Sequence, residues 1–100
     1  MNDTTTAKTI LEQLGGTRRL MAMIGASDFV FGDRSLQFSF GKAAKGIRKA
    51  RIELDASDTY TVRFYAGRGL SIREVETCEG VYDDALKRTF ESVTGLYLSL

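Results

Sequence analysis

A chain of 100 residues, 43% apolar and 27% charged, has the size and balance of one globular domain, large enough to bury a core without metal or disulfide staples and lacking the roughly 20-residue apolar run that a bilayer requires. It carries no histidine and one cysteine, Cys78, which excludes an internal disulfide, a Ser-His-Asp or Cys-His centre built from this chain, and the usual ligand sets of zinc, haem and iron–sulfur sites. The formal charge of +1 conceals six bases and no acid between Arg34 and Arg51, against six acids and two bases between Glu74 and Glu91, an asymmetry that bears on partners rather than on fold.

The polar start, Met1 to Thr6, is the one stretch expected to be disordered. Helical spacing of Ile10, Leu11 and Leu14 predicts a first helix over Thr6 to Leu14. Gly15-Gly16 interrupts it, because paired glycines are costly inside a helix. Thr17 is then expected to cap a second short helix that runs to Ile24 and stops at Gly25.

The pattern switches to period two after Gly25. Asp28 to Phe31 reads as a short strand, Gly32-Asp33-Arg34 as a turn, and Ser35 to Phe40 as a strand with Leu36, Phe38 and Phe40 inward. A loop, Gly41 to Gly46, leads to Ile47–Leu54, with Ala50, Ile52 and Leu54 inward and Lys49, Arg51 and Glu53 outward. Asp55-Ala56-Ser57-Asp58 is rich in turn formers. Thr59 to Ala66 follows, with Tyr60, Val62 and Phe64 inward and Thr61, Arg63 and Tyr65 outward. Gly67-Arg68-Gly69 makes another turn. In the fifth strand, Leu70 to Thr77, the alternation degrades near Glu74 and Val75, as an edge strand or a bulge would require.

Val81, Tyr82, Ala85, Leu86, Phe90 and Val93 recur at helical intervals and predict a C-terminal helix ending at Gly95. Asp83 with Lys87 and Asp84 with Arg88 are spaced for i,i+4 ion pairs. No helical pattern separates consecutive strands, so a parallel sheet is not expected. The expected fold is α+β: a five-stranded antiparallel meander, with a broken N-terminal helix and a C-terminal helix packed on one face. The other face is expected to be open and basic.

Two stretches carry a family resemblance. The opening Thr9-Ile10-Leu11-Glu12-Gln13-Leu14-Gly15-Gly16, with Met21-Ala22-Met23-Ile24-Gly25-Ala26, resembles the start of a family of roughly 100-residue proteins encoded by bacteriophages and prophages. The ending, Gly80-Val81-Tyr82 through Phe90-Glu91-Ser92-Val93-Thr94-Gly95-Leu96-Tyr97, is similar to that family's end, and the middle fits in strand pattern rather than in letters. The resemblance implies a mobile-element origin and a bacterial cytoplasm. The family has no assigned activity, so no site residue is carried over.

Function is expected on a surface rather than in a catalytic centre. Lys42, Lys45, Arg48, Lys49 and Arg51 lie within ten residues, and a meander would bring Arg63, Tyr65 and Arg73 beside them. Cations with an interleaved ring suit a nucleic-acid strand, the cations meeting phosphates and the ring a base. A plain wet face of an antiparallel sheet accounts for the same residues. Ala66-Gly67-Arg68-Gly69 reads as a hairpin turn rather than a phosphate loop, since it joins two strands. Glu74, Glu76, Glu79, Asp83 and Asp84 lack EF-hand spacing and read as a solvated edge. Leu96 to Leu100 reads as a tail docked on the core or, failing that, a dimer seam. Neither cofactor nor metal is expected. The reading is a non-enzymatic accessory protein acting on a host or phage protein, with homodimerisation as a further option; nucleic-acid binding through residues 42–51 and the open sheet face is the alternative.

Overall fold

The paired glycines decide how the chain begins. In the computed structural model, which describes residues 4–41 and 43–98, helix α1 (Thr5–Leu14) buries Ala7, Ile10 and Leu14 and ends where Gly15 takes a φ of 119°. That left-handed conformation penalises any side chain. The N–H groups of Gly15 and Gly16 donate to the carbonyls of Glu12 and Leu11 at 3.0 and 2.9 Å, satisfying acceptors that the helix end leaves open. Gly16 rather than Thr17 occupies the N-cap of α2 (Thr17–Ile24), which buries Leu20 and Ile24 and stops at Gly25. Of the polar start, Thr5 and Thr6 are the first residues of α1, while Met1 to Asp3 lie outside the described residues.

Strands β1 (Ser27–Gly32), β2 (Ser35–Ser39), β3 (Ile47–Leu54), β4 (Tyr60–Ala66) and β5 (Arg73–Val81) pair in chain order, each antiparallel to the one before. The fold is thus the α+β meander that the alternation predicts. Leu36, Phe38, Ala50, Ile52, Tyr60, Val62 and Phe64 are buried in one continuous core with residues of α1, α2 and the C-terminal helix. Residues paired across strands share a face, so the register sorts the outward side chains into rows. One row runs Ser27, Ser39, Lys49, Tyr65, Glu74. The next runs Val30, Gln37, Arg51, Arg63, Thr77, and a third Gly32, Ser35, Glu53, Thr61.

The C-terminal helix is shorter than its sequence pattern. Val81 closes β5 opposite Tyr60, Asp83–Ala85 form a 3-10 turn, and α3 spans Leu86–Thr94. Apolar residues at 81 and 82 satisfy a strand end as well as a helix start, and periodicity alone does not separate the two. With Asp84 on the tighter turn, its expected ion pair with Arg88 does not form. Phe90 anchors α3 to the sheet, its ring centroid 5.9, 5.3 and 6.0 Å from those of Phe38, Phe40 and Phe64. The tail docks on its own chain through Leu98, which is fully buried and whose N–H donates to Glu91 Oε2 at 2.7 Å; Ser99 and Leu100 lie outside the described residues.

Candidate binding surfaces of the sheet

The fold disperses the basic run. Arg34 sits in a turn with a φ of 61°, and its guanidinium donates to the carbonyls of Leu54 and Asp55 at 3.4 and 3.2 Å. It clamps the β1–β2 turn to the β3–β4 turn. Lys42 lies outside the described residues. Lys45 meets Glu76 at 3.2 Å. Glu76 pairs with the buried Phe64, so this contact lies on the helix side of the sheet, away from the outward rows.

Lys49, Arg51, Arg63 and Tyr65 do share the outer face, as the alternation predicts: Lys49 pairs with Tyr65, and Arg51 with Arg63. Arg73 does not join them. The register of β5 shifts between its partners Phe64 and Tyr65, leaving Val75 as an extra residue. Beyond that bulge Glu74 stands opposite Tyr65, and Arg73 stands opposite Ala66, which is buried. One inserted residue therefore puts Glu74 rather than Arg73 on the outer face, because the side-chain period is two.

The consequence is a face whose centre is neutralised. Arg51 directly opposite Arg63 would repel. Glu53 Oε1 lies 3.6 Å from Arg51 Nε and 3.1 Å from Arg63 Nε, and Glu74 Oε1 lies 3.3 Å from Arg63 Nη1. Thr77 Oγ1 also donates to Glu74 at 2.7 Å. That hydrogen bond, then Arg63, holds the Glu74 carboxyl below its usual pKa, against a smaller opposing desolvation. Hydrogen bonds from Arg63 to both glutamates hold its guanidinium charge more firmly still. At the far end of the sheet Asp55 accepts from Ser57 N and Oγ at 3.0 and 2.6 Å and from Thr59 and Thr61; the bonds from Ser57, its hydroxyl most of all, and from Thr59 lower its pKa.

The other end of the sheet is different. An open concavity of about 330 Å³ is lined there by Arg48, Lys49 and Arg68, by Ser27 and Ser39, and by one acid, Asp28. Arg48 reaches it because the β3–β4 register shifts between Ile47 and Lys49, which leaves Arg48 outside the pairing. Arg68 reaches it on the β4–β5 loop, where Ser71 N and Oγ both donate to the Arg68 carbonyl, at 2.9 and 2.8 Å. A Cβ on Gly67, whose φ is 91°, would stand 2.5 Å from the Ser71 carbonyl oxygen, so only glycine fits this closely folded loop. At its tip Leu70 is fully exposed, at 109%, and Ile72 is 40% exposed. Among the described residues Arg48, Lys49 and Arg68 make no ion pair.

The sequence offers Arg68 to a phosphate only as the lesser reading of a hairpin turn, and it gives little sign of Arg48's separation from its neighbours. One signal pointed to the second: Ile47 is apolar in the outward phase set by Lys49 and Arg51, which a bulge between them resolves. Among the described residues no three acidic or thiol side chains are grouped to hold a metal ion, and no helix is long and apolar enough to cross a membrane. Cys78 borders a shallow groove with Arg88, Thr89, Ser92 and Val93; burial, and then Glu76, push its thiol pKa up. Comparison with protein-family models, curated proteins and solved structures gives no match.

Proposed function

We propose that this domain is a non-enzymatic accessory protein that works by binding another protein through the open outer face of its sheet. The observation that carries the reading is the interlocked centre of that face. Arg51 and Arg63 already share Glu53 and Glu74, so the centre offers a polyanion little net charge. It offers a protein a flat mixture of Tyr65, Val30, two arginines and amide or hydroxyl donors. Aromatic and arginine side chains are enriched at protein interfaces. The missing histidine and the raised pKa of Cys78 favour binding over catalysis, since the thiolate is the reactive form. The partner proposed is a host or phage protein met in the bacterial cytoplasm, as the resemblance read in the two chain ends implies; the comparisons add nothing to that resemblance. The nucleic-acid alternative loses its central arginines to the glutamates.

Light scattering of the pure protein, followed by capture from a bacterial lysate, tests the reading. The wild type should either exceed the monomer mass or retain a defined partner, and Tyr65→Ala combined with Val30→Asp should abolish that association without lowering the melting temperature appreciably. A monomer that retains nothing, or an association indifferent to both substitutions, defeats it.

A further inference from the structure

We infer that the concavity at the β4–β5 end of the sheet is a phosphate-binding site for single-stranded nucleic acid. It lies at the end of the outer face, beyond the neutralised centre, with Tyr65 between the two, and its test with an oligonucleotide does not need the protein partner proposed above.

Several cations elsewhere in this fold have carboxylate partners, although Arg73 of β5 has none among the described residues. Lys45 has Glu76, Arg51 has Glu53, and Arg63 has both Glu53 and Glu74. At the concavity Arg48, Lys49 and Arg68 converge from a bulge, a strand and a loop around a single acid, Asp28. Their charges leave this spot at +2 by formal count, from three bases less one acid, against +1 for the whole chain. Gathering like charges is unfavourable until an anion joins them. Arg48 and Lys49 are half-buried, so part of their hydration is already lost. Ser27 and Ser39 add hydroxyl donors to the lining.

The walls are fixed before any ligand arrives. The Arg48 carbonyl accepts the Phe40 N–H at 2.9 Å, and the Arg68 loop is closed by Ser71 and by the close approach at Gly67. Preorganised walls lower the ordering cost of binding. The row leading out of the concavity continues from Lys49 to Tyr65, which is half-exposed. A ring beside a phosphate site can take an unstacked base, whereas a paired base in a duplex hides its face. Three cations around one concavity also suit a few phosphates of a flexible strand, rather than the long rows of a double helix.

Three phosphate contacts give log K against log salt a slope of about −2 on a single strand, from roughly −0.7 per contact. Fluorescence anisotropy with a short labelled oligothymidylate, from low to moderate salt, measures it. Arg68→Glu alters only an exposed loop side chain and should weaken binding at least about tenfold. Arg48→Ala and Lys49→Ala should each flatten the slope by about 0.7. Arg88→Ala, on α3, should bind as the wild type does. Three results overturn the assignment: no binding at low salt, binding indifferent to Arg48 and Arg68, or a duplex of matching length bound as tightly as the single strand.

Discussion

The centre of the outer face and the concavity at its end carry the same kinds of cation and differ in what the pleat does with them. In the centre, Arg51 and Arg63 occupy regular cross-strand positions, where a neighbouring row or strand supplies a carboxylate. At the end, Arg48 sits on a bulge and Arg68 on a loop, off the regular rows and beyond the reach of the glutamates. Here the two paired arginines stand on the regular pleat, and two of the three unpaired cations of the concavity stand on irregular backbone. The bulges of β3 and β5 act in opposite directions: one releases Arg48, while the other brings Glu74 in place of Arg73 and quiets the face.

The largest effect tests whether both regions depend on one platform. Phe90→Ala removes a fully buried ring that meets three others from β2 and β4 and the segment following β2. The expected loss is about 3–5 kcal/mol, a large share of the roughly 5–15 kcal/mol by which a domain is stable. The melting temperature should fall by roughly 12 °C or more, and association at both surfaces should fail together. A variant that melts like the wild type would show that α3 is not what holds the sheet.

Gly67→Ala separates the two regions. The added methyl would meet the Ser71 carbonyl at 2.5 Å in a conformation with a φ of 91°. Strain of this kind costs on the order of 1–3 kcal/mol, and relief of it must move the loop that carries Arg68. Oligonucleotide binding should weaken while the face around Arg63 is unaffected. Retained binding together with unchanged thermal stability would mean that the loop geometry is not needed for the site.

The contrast also explains what could be read from the chain. Strand alternation and glycine stops made the meander, the outward positions of Lys49, Arg51, Arg63 and Tyr65, and the irregularity near Val75 legible, because each is set by local spacing. The fate of the charges was not. Whether Arg63 is free depends on Glu53 and Glu74, which lie on other strands and come beside it only through the register. Arg73 and Glu74 exchanged faces because one residue was added to the count between Phe64 and Tyr65. The short Gly-Arg-Gly turn gave no sign that its arginine would face Arg48, since that meeting is made by the sheet's end.

Glu53→Gln with Glu74→Gln should erase the contrast. The substitutions raise the formal charge from +1 to +3, since each removes one negative charge, and they leave Arg51 and Arg63 without carboxylates. Exposed pairs contribute little to stability, so the melting temperature should shift only slightly. The oligonucleotide salt dependence should steepen by roughly 0.7 for each arginine that engages a phosphate, and the proposed protein contact should weaken. An unchanged slope would show that neutralisation is not what keeps polyanions off the centre.

The smallest effect lies in acid, where carboxylates titrate. Asp55 and Glu74 both have pKa values lowered in the folded protein. A lowered value means that the folded state holds the ionised form more firmly than the unfolded chain does. The stabilisation is fully present above the unfolded values, near pH 4, and is lost as pH falls through the folded ones. Thermal stability should therefore be insensitive to these two groups from neutrality to about pH 5 and should decline below about pH 4. Asp55→Asn should melt somewhat lower at neutral pH, because Ser57, Thr59 and Thr61 lose their ionised acceptor, and its decline in acid should be shallower. An acid decline as steep as that of the wild type would assign it to other carboxylates and leave the far turn, unlike the centre, indifferent to charge.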